Sequence, residues 1–191
     1  MGFTDIFRRK KNKPQADPLQ DLVLSKLRAG YFVDYDLKTW EVTRHHLYDW
    51  GDGLQTDEWE LKSGSETCYL DREEDDEVEW SLSHRIPFKK LDSDGAIART
   101  IKKTEDPPEE IQYEGRTYYL EQSGGGYFLR DGKGMGTEFL CWDFESEGED
   151  QFITIEQWGE NDFTALAGIF VEEYQLTNIL PGTADHEIPE R

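Results

Sequence analysis

The chain has 191 residues, with 42 acidic side chains against 21 basic ones, and its formal net charge is −21. Such a surface repels phosphate, which excludes nucleic-acid binding, because that affinity depends on Lys and Arg neutralising phosphates. Two cysteines and four histidines without ligand spacing exclude a disulfide framework and a zinc cluster, so we predict no metal and no cofactor.

The acid excess leaves two interpretations open. It keeps the protein in solution, or it forms an acidic face that docks on a basic partner or imitates DNA. The 25 aromatic residues, six of them Trp, supply the apolar area that a folded core needs. No apolar run of eighteen residues and no secretory signal are present, so we expect a cytoplasmic protein.

The first sixteen residues form a basic tail with one apolar face. Each base near an anionic membrane contributes about 1 kcal/mol, which predicts weak contact with the inner membrane surface. A frayed tail in solution is the alternative. The candidate membrane-surface residues are Phe3, Ile6, Phe7, Arg8, Arg9, Lys10 and Lys11.

A helix is predicted next. Asp17 is a good N-cap, Pro18 occupies the first helical position, and an apolar stripe includes Leu22 and Leu27. Gly30 is expected to end this helix of about eleven residues. Its stripe should pack against a sheet.

Strand patterns follow from Tyr31 to Leu91 and again from Ile111 to about Ile179. Turns are predicted at residues 50–53, 62–65, 123–126 and 131–134, because Gly supplies positive φ there. The acidic run at 73–77 is interpreted as a solvated loop. Residues 92–110 connect the two units, with a helical turn or two from Ala96, and Asp92 to Gly95 fails the register of a calcium loop.

The two β units look like copies of each other. Residues 33–42 match 111–120, with Trp40 against Tyr118, and residues 59–61 and 70–71 match 142–144 and 155–156. Such similarity predicts a duplicated unit. We divide the chain into a tail (1–16), a helix with the first unit (17–91), a connection (92–110), the second unit (111–180) and a polar end (181–191).

No motif identifies a catalytic centre. His45 and His46 are neighbours on a predicted strand and face opposite ways, so they cannot share a metal. Acidic residues beside Trp could instead form a carbohydrate-binding or hydrolytic surface. The candidate ligand-binding residues are Trp50, Glu58, Trp59, Glu60, Trp142 and Asp143. Trp59 and Trp142 occupy matched positions, which favours a core role for both indoles.

Several stretches resemble the bacterial family of domain of unknown function 4178. They are the segment ending at Gly30, the strands at 33–42, 59–61 and 69–70, residues 120–127, and 154–159 with Gly168. The resemblance covers roughly residues 20 to 180. It implies a mostly β bacterial domain encoded near membrane-associated proteins, and it assigns no activity and no functional residues.

We therefore predict an all-β fold with one short N-terminal helix, in which two repeats of about five antiparallel strands form a barrel-like or sandwich domain. The expected function is a non-enzymatic interaction or adaptor module that holds a protein partner in a membrane-associated assembly. A carbohydrate-binding or hydrolytic domain that uses the Trp-lined acidic surface is the alternative.

Overall fold

The computed structural model describes residues 22–75 and 77–182, and these residues form mostly antiparallel strands. The first unit has strands β1 (Phe32–Tyr35), β2 (Lys38–Gly51), β3 (Leu54–Ser63), β4 (Glu66–Glu74) and β5 (Val78–Ile86). Helices α1 (Phe88–Leu91) and α2 (Ala96–Thr104) follow. The remaining strands are β6 (Glu110–Tyr113), β7 (Arg116–Leu129), β8 (Thr137–Ser146), β9 (Gln151–Gly159), β10 (Asp162–Val171) and β11 (Thr177–Leu180).

Eight of these strands close into a barrel, in the order β2-β3-β4-β5-β10-β9-β8-β7. The last half of β2 pairs with the last half of β7 and closes the wall, with Leu47 opposite Leu129 and Asp49 opposite Tyr127. The first halves of the same two strands pair outward with β1 and β6. The fold is therefore all-β and barrel-like, as the sequence predicts.

The barrel wall is apolar on its outer face in two places. On one side the first cluster includes Trp59, Leu70 and Trp80, which are covered by Leu24 and Leu27 of the N-terminal segment. On the other side the second cluster includes Trp142, Phe144 and Ile155, which are covered by α2 and β6. Because side chains alternate along a strand, the residues between these apolar positions point into the barrel.

The predicted N-terminal helix is wrong in the part that the structure describes. From Leu22 onward the chain forms one 3₁₀ turn at Leu24–Lys26 and is extended at Leu27. The Trp59 indole donates a hydrogen bond to the Leu27 carbonyl oxygen at 3.0 Å, which holds this segment on the first cluster. The earlier residues of the predicted helix lie outside the described part of the chain.

One predicted turn belongs instead to the barrel wall, and one predicted loop belongs to it only in part. Residues 123–126, interpreted as a turn, lie inside β7, where glycine lets another backbone approach closely. A Cβ on Gly126 would lie 2.3 Å from the Asp49 carbonyl oxygen of β2. The acidic run at 73–77 begins within β4, and Glu73 lines the barrel interior.

The connection between the two units covers the second cluster. The strand pattern predicted up to Leu91 ends earlier, because Pro87 follows β5 and the helices α1 and α2 come next. The Asp92 carboxylate accepts hydrogen bonds from the backbone N–H groups of Ile97 at 2.9 Å and Ala98 at 3.0 Å. Asp92 therefore caps α2, which gives it a structural role in place of a calcium ligand. Among the described helices, none is long and apolar enough to cross a membrane.

Closure of the wall predicts different outcomes for two neighbouring glycines. Gly126→Ala should destabilise the protein by about 3 kcal/mol, because its Cβ would overlap backbone that cannot move without opening the barrel. Gly124→Ala is the matched control, since its Cβ would meet no atom closer than 3.7 Å. Urea unfolding measures both variants, and equal losses of stability would contradict this account of closure.

Candidate acidic cavity in the barrel

The barrel encloses a cavity of about 840 Å³ that opens at one end. The antiparallel order places the β2–β3, β4–β5 and β8–β9 connections at this end, and residues from all three regions line the opening. A volume of this size suits a small ligand, since such sites usually measure about 300 to 1,000 Å³.

The cavity lining is strongly acidic. Among the described residues that line it, ten are Asp or Glu, and no Lys, Arg or His is present. The ten acidic residues are Glu58, Asp71, Glu73, Asp75, Glu77, Glu79, Glu121, Asp143, Glu145 and Glu156. Glu58 and Glu156 are buried, whereas Glu73, Asp75, Glu77, Glu79 and Glu121 are exposed at the opening. A buried carboxylate is costly unless it is paired, so the acids at the deep end require a physical reason.

Strand register brings the acids together in opposed pairs. Glu58 of β3 is directly opposite Asp71 of β4, and Glu73 of β4 is directly opposite Glu79 of β5. Like charges at such positions repel each other and destabilise a sheet. The repulsion falls when one acid of a pair is protonated or when a cation lies between the two.

Two acids on the cavity floor share one phenol. The Tyr48 hydroxyl lies 3.2 Å from Glu58 Oε2 and 2.9 Å from Glu156 Oε1. The Thr164 hydroxyl donates to the other Glu156 oxygen at 2.7 Å, and the Trp158 indole donates to Thr164 at 3.0 Å. Glu156 is therefore held by two hydroxyl groups in a fixed position.

Asp143 is also supported within the wall. The Thr154 hydroxyl donates to Asp143 Oδ1 at 2.6 Å, and the Gln122 amide donates to Oδ2 at 3.3 Å. These two groups come from the neighbouring strands β9 and β7, directly across from Asp143. Burial nevertheless raises the pKa of Asp143, although both hydrogen bonds oppose that change.

Two polar groups that line the cavity have no partner in the described protein. No described residue donates a hydrogen bond to the Asp71 carboxylate. The Ser83 hydroxyl is buried, with 3% of the residue exposed, and it makes no hydrogen bond. Buried polar groups in folded proteins are nearly always hydrogen-bonded. Asp71 and Ser83 therefore have free hydrogen-bonding capacity directed at the cavity.

Glu58 and Asp71 resist ionisation. Burial, followed by the charge of Glu156, raises the pKa of Glu58 to about 8, and Tyr48 opposes this shift. Burial and then Glu58 raise the pKa of Asp71 well above its ordinary value. At neutral pH, without a bound cation, these two carboxyl groups therefore hold protons. A bound cation would displace them.

The nearest cation lies below the floor and forms no ion pair with these acids. Arg85 donates to the Tyr69 hydroxyl at 3.0 Å, and its guanidinium lies 5.4 Å from the centroid of the Tyr69 ring. Its charge lowers the pKa of Glu58, but less than burial raises it. The ten acids are thus not neutralised by the described part of the chain.

Aromatic side chains form the rest of the wall. Tyr48 stacks on Trp50 with ring centroids 5.9 Å apart, and Phe139 contacts both rings. The Trp50 indole donates to the Thr56 hydroxyl at 2.8 Å, which fixes its orientation. Such faces accept apolar groups and also attract cations.

The structure separates the residues that the sequence grouped as one ligand surface. Glu58, Asp143 and Trp50 line the cavity, whereas Trp59 and Trp142 are buried in the outer clusters with at most 2% exposure. Glu60 points the same way as Glu58 but lies beyond the cavity, where Thr43 and Lys62 bind it. The hypothesis of a surface walled by Trp59 and Trp142 is therefore wrong, because strand alternation turns both indoles outward.

His45 and His46 face opposite sides of β2. His45 stacks on Trp59 and bonds to Asp57 on the outside, while His46 accepts a hydrogen bond from the Asp131 backbone within the barrel. Within residues 22–75 and 77–182, no group of three His, Cys, Asp or Glu is arranged to hold a metal ion. The candidate membrane residues of the N-terminal tail lie outside the described part.

Sequence reasoning missed Tyr48, Asp71, Ser83 and Glu156 as cavity residues. Asp71 and Glu156 follow matched apolar residues, Leu70 and Ile155, in the two β units. An acid that alternates with fully buried apolar residues on a barrel strand points into the barrel. This alternation is visible in the sequence. It indicates an interior position only when the strands are known to close into a barrel.

The raised pKa of Glu58 predicts how stability changes with pH. The folded protein holds a proton on Glu58 up to about pH 8, whereas the unfolded chain releases it near 4.5. Above pH 4.5 the folded state binds more protons, so stability should fall by roughly 2 to 5 kcal/mol as the pH rises to 8.

Urea unfolding of the wild type and Glu58→Gln at pH 5, 6.5 and 8 checks this prediction. Glu58→Gln removes the titrating group, so its stability should change less over the same range. Net self-repulsion of the acidic chain acts on both proteins and cancels in the comparison. Identical pH slopes would contradict a protonated Glu58.

Comparisons with known proteins identify a family and give no activity. A protein of Aquifex aeolicus (strain VF5), described as an uncharacterized protein, is 28% identical over 184 residues, which are 95% of this chain and 99% of the relative. No solved structure matches the chain. The family model described as Domain of unknown function (DUF4178) matches residues 28–173. That match covers most of the barrel, and the chain belongs to the DUF4178 family.

Proposed function

We propose that this protein is a non-enzymatic binding domain whose barrel holds a small organic cation. The observation that carries the proposal is the cavity lining of ten acids without a Lys, Arg or His among the described lining residues. An amine or guanidinium supplies both the positive charge and several N–H donors, and the lining is rich in acceptors.

The unpartnered groups support an occupant with directed donors. Asp71 can accept from a ligand N–H, and the Ser83 hydroxyl can accept or donate in the same region. Aromatic faces at Trp50 and Tyr48 stabilise a cation further, and water is displaced when the site fills. The separated acids suit an organic ion better than a compact metal ion, which needs several ligands around one point.

A thermal-shift series tests the proposal with the full chain. Arginine amide, n-butylamine, 1,4-diaminobutane and spermidine should raise the melting temperature at fixed ionic strength, because a ligand that binds only the folded state stabilises it. Asp71→Asn should require at least a tenfold higher ligand concentration for the same rise in melting temperature. Glu160→Gln, in the β9–β10 turn at the other end of the barrel, makes the same charge change and should behave as wild type.

Two outcomes would contradict the proposal. In the first, no cation of the series stabilises the wild type. In the second, Asp71→Asn and Glu160→Gln respond equally, because binding would then arise from the overall acidity of the surface. Asp71→Asn should itself fold, because burial raises the pKa of Asp71 so that its carboxyl holds a proton without a cation, and Asn is a neutral group of the same size.

We further propose that the domain acts as an adaptor in the bacterial cytoplasm, at the inner face of the membrane, and holds a protein partner there. The support is the basic N-terminal tail and the acid excess of the rest of the chain. Ligand occupancy in the barrel would then be the signal that the adaptor passes to its partner.

The tail makes a separate prediction. Wild-type protein should sediment with anionic vesicles at low salt, and changing Arg8, Arg9, Lys10 and Lys11 to Glu should abolish this while leaving the circular dichroism unchanged. A matched control compares two double variants with the same charge change. Changing Lys10 and Lys11 to Glu should reduce sedimentation, whereas changing Lys89 and Lys90 to Glu alters only the folded body and should not. Wild type that stays in the supernatant would disprove membrane contact by the tail.

A duplication is proposed for the two β units. Trp59 and Trp142, matched in the sequence, lie in different outer clusters, and the matched acids Asp71 and Glu156 both line the cavity. An experimental structure in which residues 31–86 superpose on 110–171 with these pairs aligned would support the duplication. A superposition in a different register would contradict it.

A further inference from the structure

We infer that the cation bound in the barrel is a linear polyamine, which lies along the barrel axis with its amines between successive levels of carboxylates. This inference rests on the proposed function, since it names the class of ligand for the same cavity. Its basis is the spacing of the acids, the aromatic rings that also line the cavity and the free acceptors at the deep end.

The acids lie at two depths. Asp71 and Glu73 are two residues apart on β4, and Asp143 and Glu145 are two residues apart on β8. All four line the cavity. Since a strand rises about 3.3 Å per residue, the deep and outer carboxylates of each strand are roughly 7 Å apart. A ligand with amines separated by short methylene chains can meet both levels at once.

Each level contains a pair of acids that a cation can bridge. Glu58 opposes Asp71 at the deep level, and Glu73 opposes Glu79 at the outer level. An ammonium group between two carboxylates converts their mutual repulsion into two attractive contacts. A compact monovalent cation relieves one such pair and leaves the other, whereas a polyamine relieves both.

The wall also suits the methylene segments of such a ligand. Trp50, Phe139, Phe152 and Phe170 also line the cavity, and the ring centroids of Phe152 and Phe170 are 5.2 Å apart. Gly168 makes room for Phe152, because a Cβ there would lie 2.2 Å from the ring. Methylene segments of the ligand can pack on these rings while its amines meet the carboxylates.

Filling the cavity displaces protons from its floor. Burial and then the charge of Glu156 raise the pKa of Glu58, and burial and then the charge of Glu58 raise the pKa of Asp71, so both groups keep their protons without a cation. An ammonium group beside them favours the ionised form. Polyamine affinity should therefore rise between pH 6 and pH 8, with protons released on binding, whereas cation binding on the exposed surface should release far fewer.

Isothermal titration of the full chain tests the inference. Spermidine should bind at least tenfold more tightly than n-butylamine or arginine amide at equal ionic strength, with one ligand per chain. Asp71→Asn and Glu79→Gln remove one acid from each level, and each should weaken spermidine binding at least fivefold. Glu79→Gln should affect n-butylamine less, because a single amine already occupies the deep pair. Glu160→Gln should leave all affinities within twofold.

The outcomes separate this inference from the proposed function. If n-butylamine or arginine amide binds as tightly as spermidine and Asp71→Asn weakens all of them, the barrel is a cation site and the polyamine inference is wrong. If a short Lys-rich peptide outcompetes spermidine, the amines come from a partner protein. If no cation binds, or if Asp71→Asn and Glu79→Gln behave as Glu160→Gln, both the inference and the proposed function are wrong.

Discussion

The structure depends on the alternation of side chains along the strands of a closed wall. Each barrel strand has one apolar outer face and one inner face rich in acids and aromatic rings. Closing the wall through β2 and β7 commits every second residue to an enclosed space. The chain covers the apolar face from outside, with the N-terminal segment and β1 on one side and α2 and β6 on the other.

This arrangement moves the main source of stability to the outside of the barrel. Trp59, Leu61 and Leu70 are fully buried in the first cluster, and Phe144, Ile153 and Ile155 are fully buried in the second. Burying each such side chain contributes about 1.5 to 3 kcal/mol. The interior is thereby free from the need to supply a continuous apolar core. It can hold ten acids around an open volume, which an ordinary barrel of this size fills with side chains.

The interior acids are arranged by the fold and not merely tolerated. Tyr48 joins Glu58 to Glu156, and Thr164 on the next strand, itself bound by Trp158 of the same strand as Glu156, fixes Glu156. Asp143 has its own two donors, whereas Asp71 and Ser83 have none in the described chain. The polar groups of the lining therefore differ, because some are hydrogen-bonded by the protein and others are not. The free groups mark where an occupant would bind.

Local sequence patterns were sufficient to predict the strand-rich fold, most of the hairpin turns and the family. Trp40, Trp59 and Val42 alternate with polar residues, and Asp52 and Gly53 make a tight turn, so local chemistry was sufficient there. It also indicated that Trp59 and Trp142 belong to the core. Helix propensity misled at residues 22–30, because the Trp59 hydrogen bond and packing on the first cluster favour an extended chain.

Only the tertiary structure decided which face of each strand became the interior. The glycines at 124–126 looked like a turn, and they are the place where two distant strands meet. Glu58 and Asp71 face each other in the β3–β4 hairpin, but Glu156 comes from the distant strand β9, and no local pattern brings the three together. Their shared cavity and the raised pKa values of Glu58 and Asp71 arise from long-range pairing and burial. Both properties require the closed barrel and cannot be predicted from any single segment.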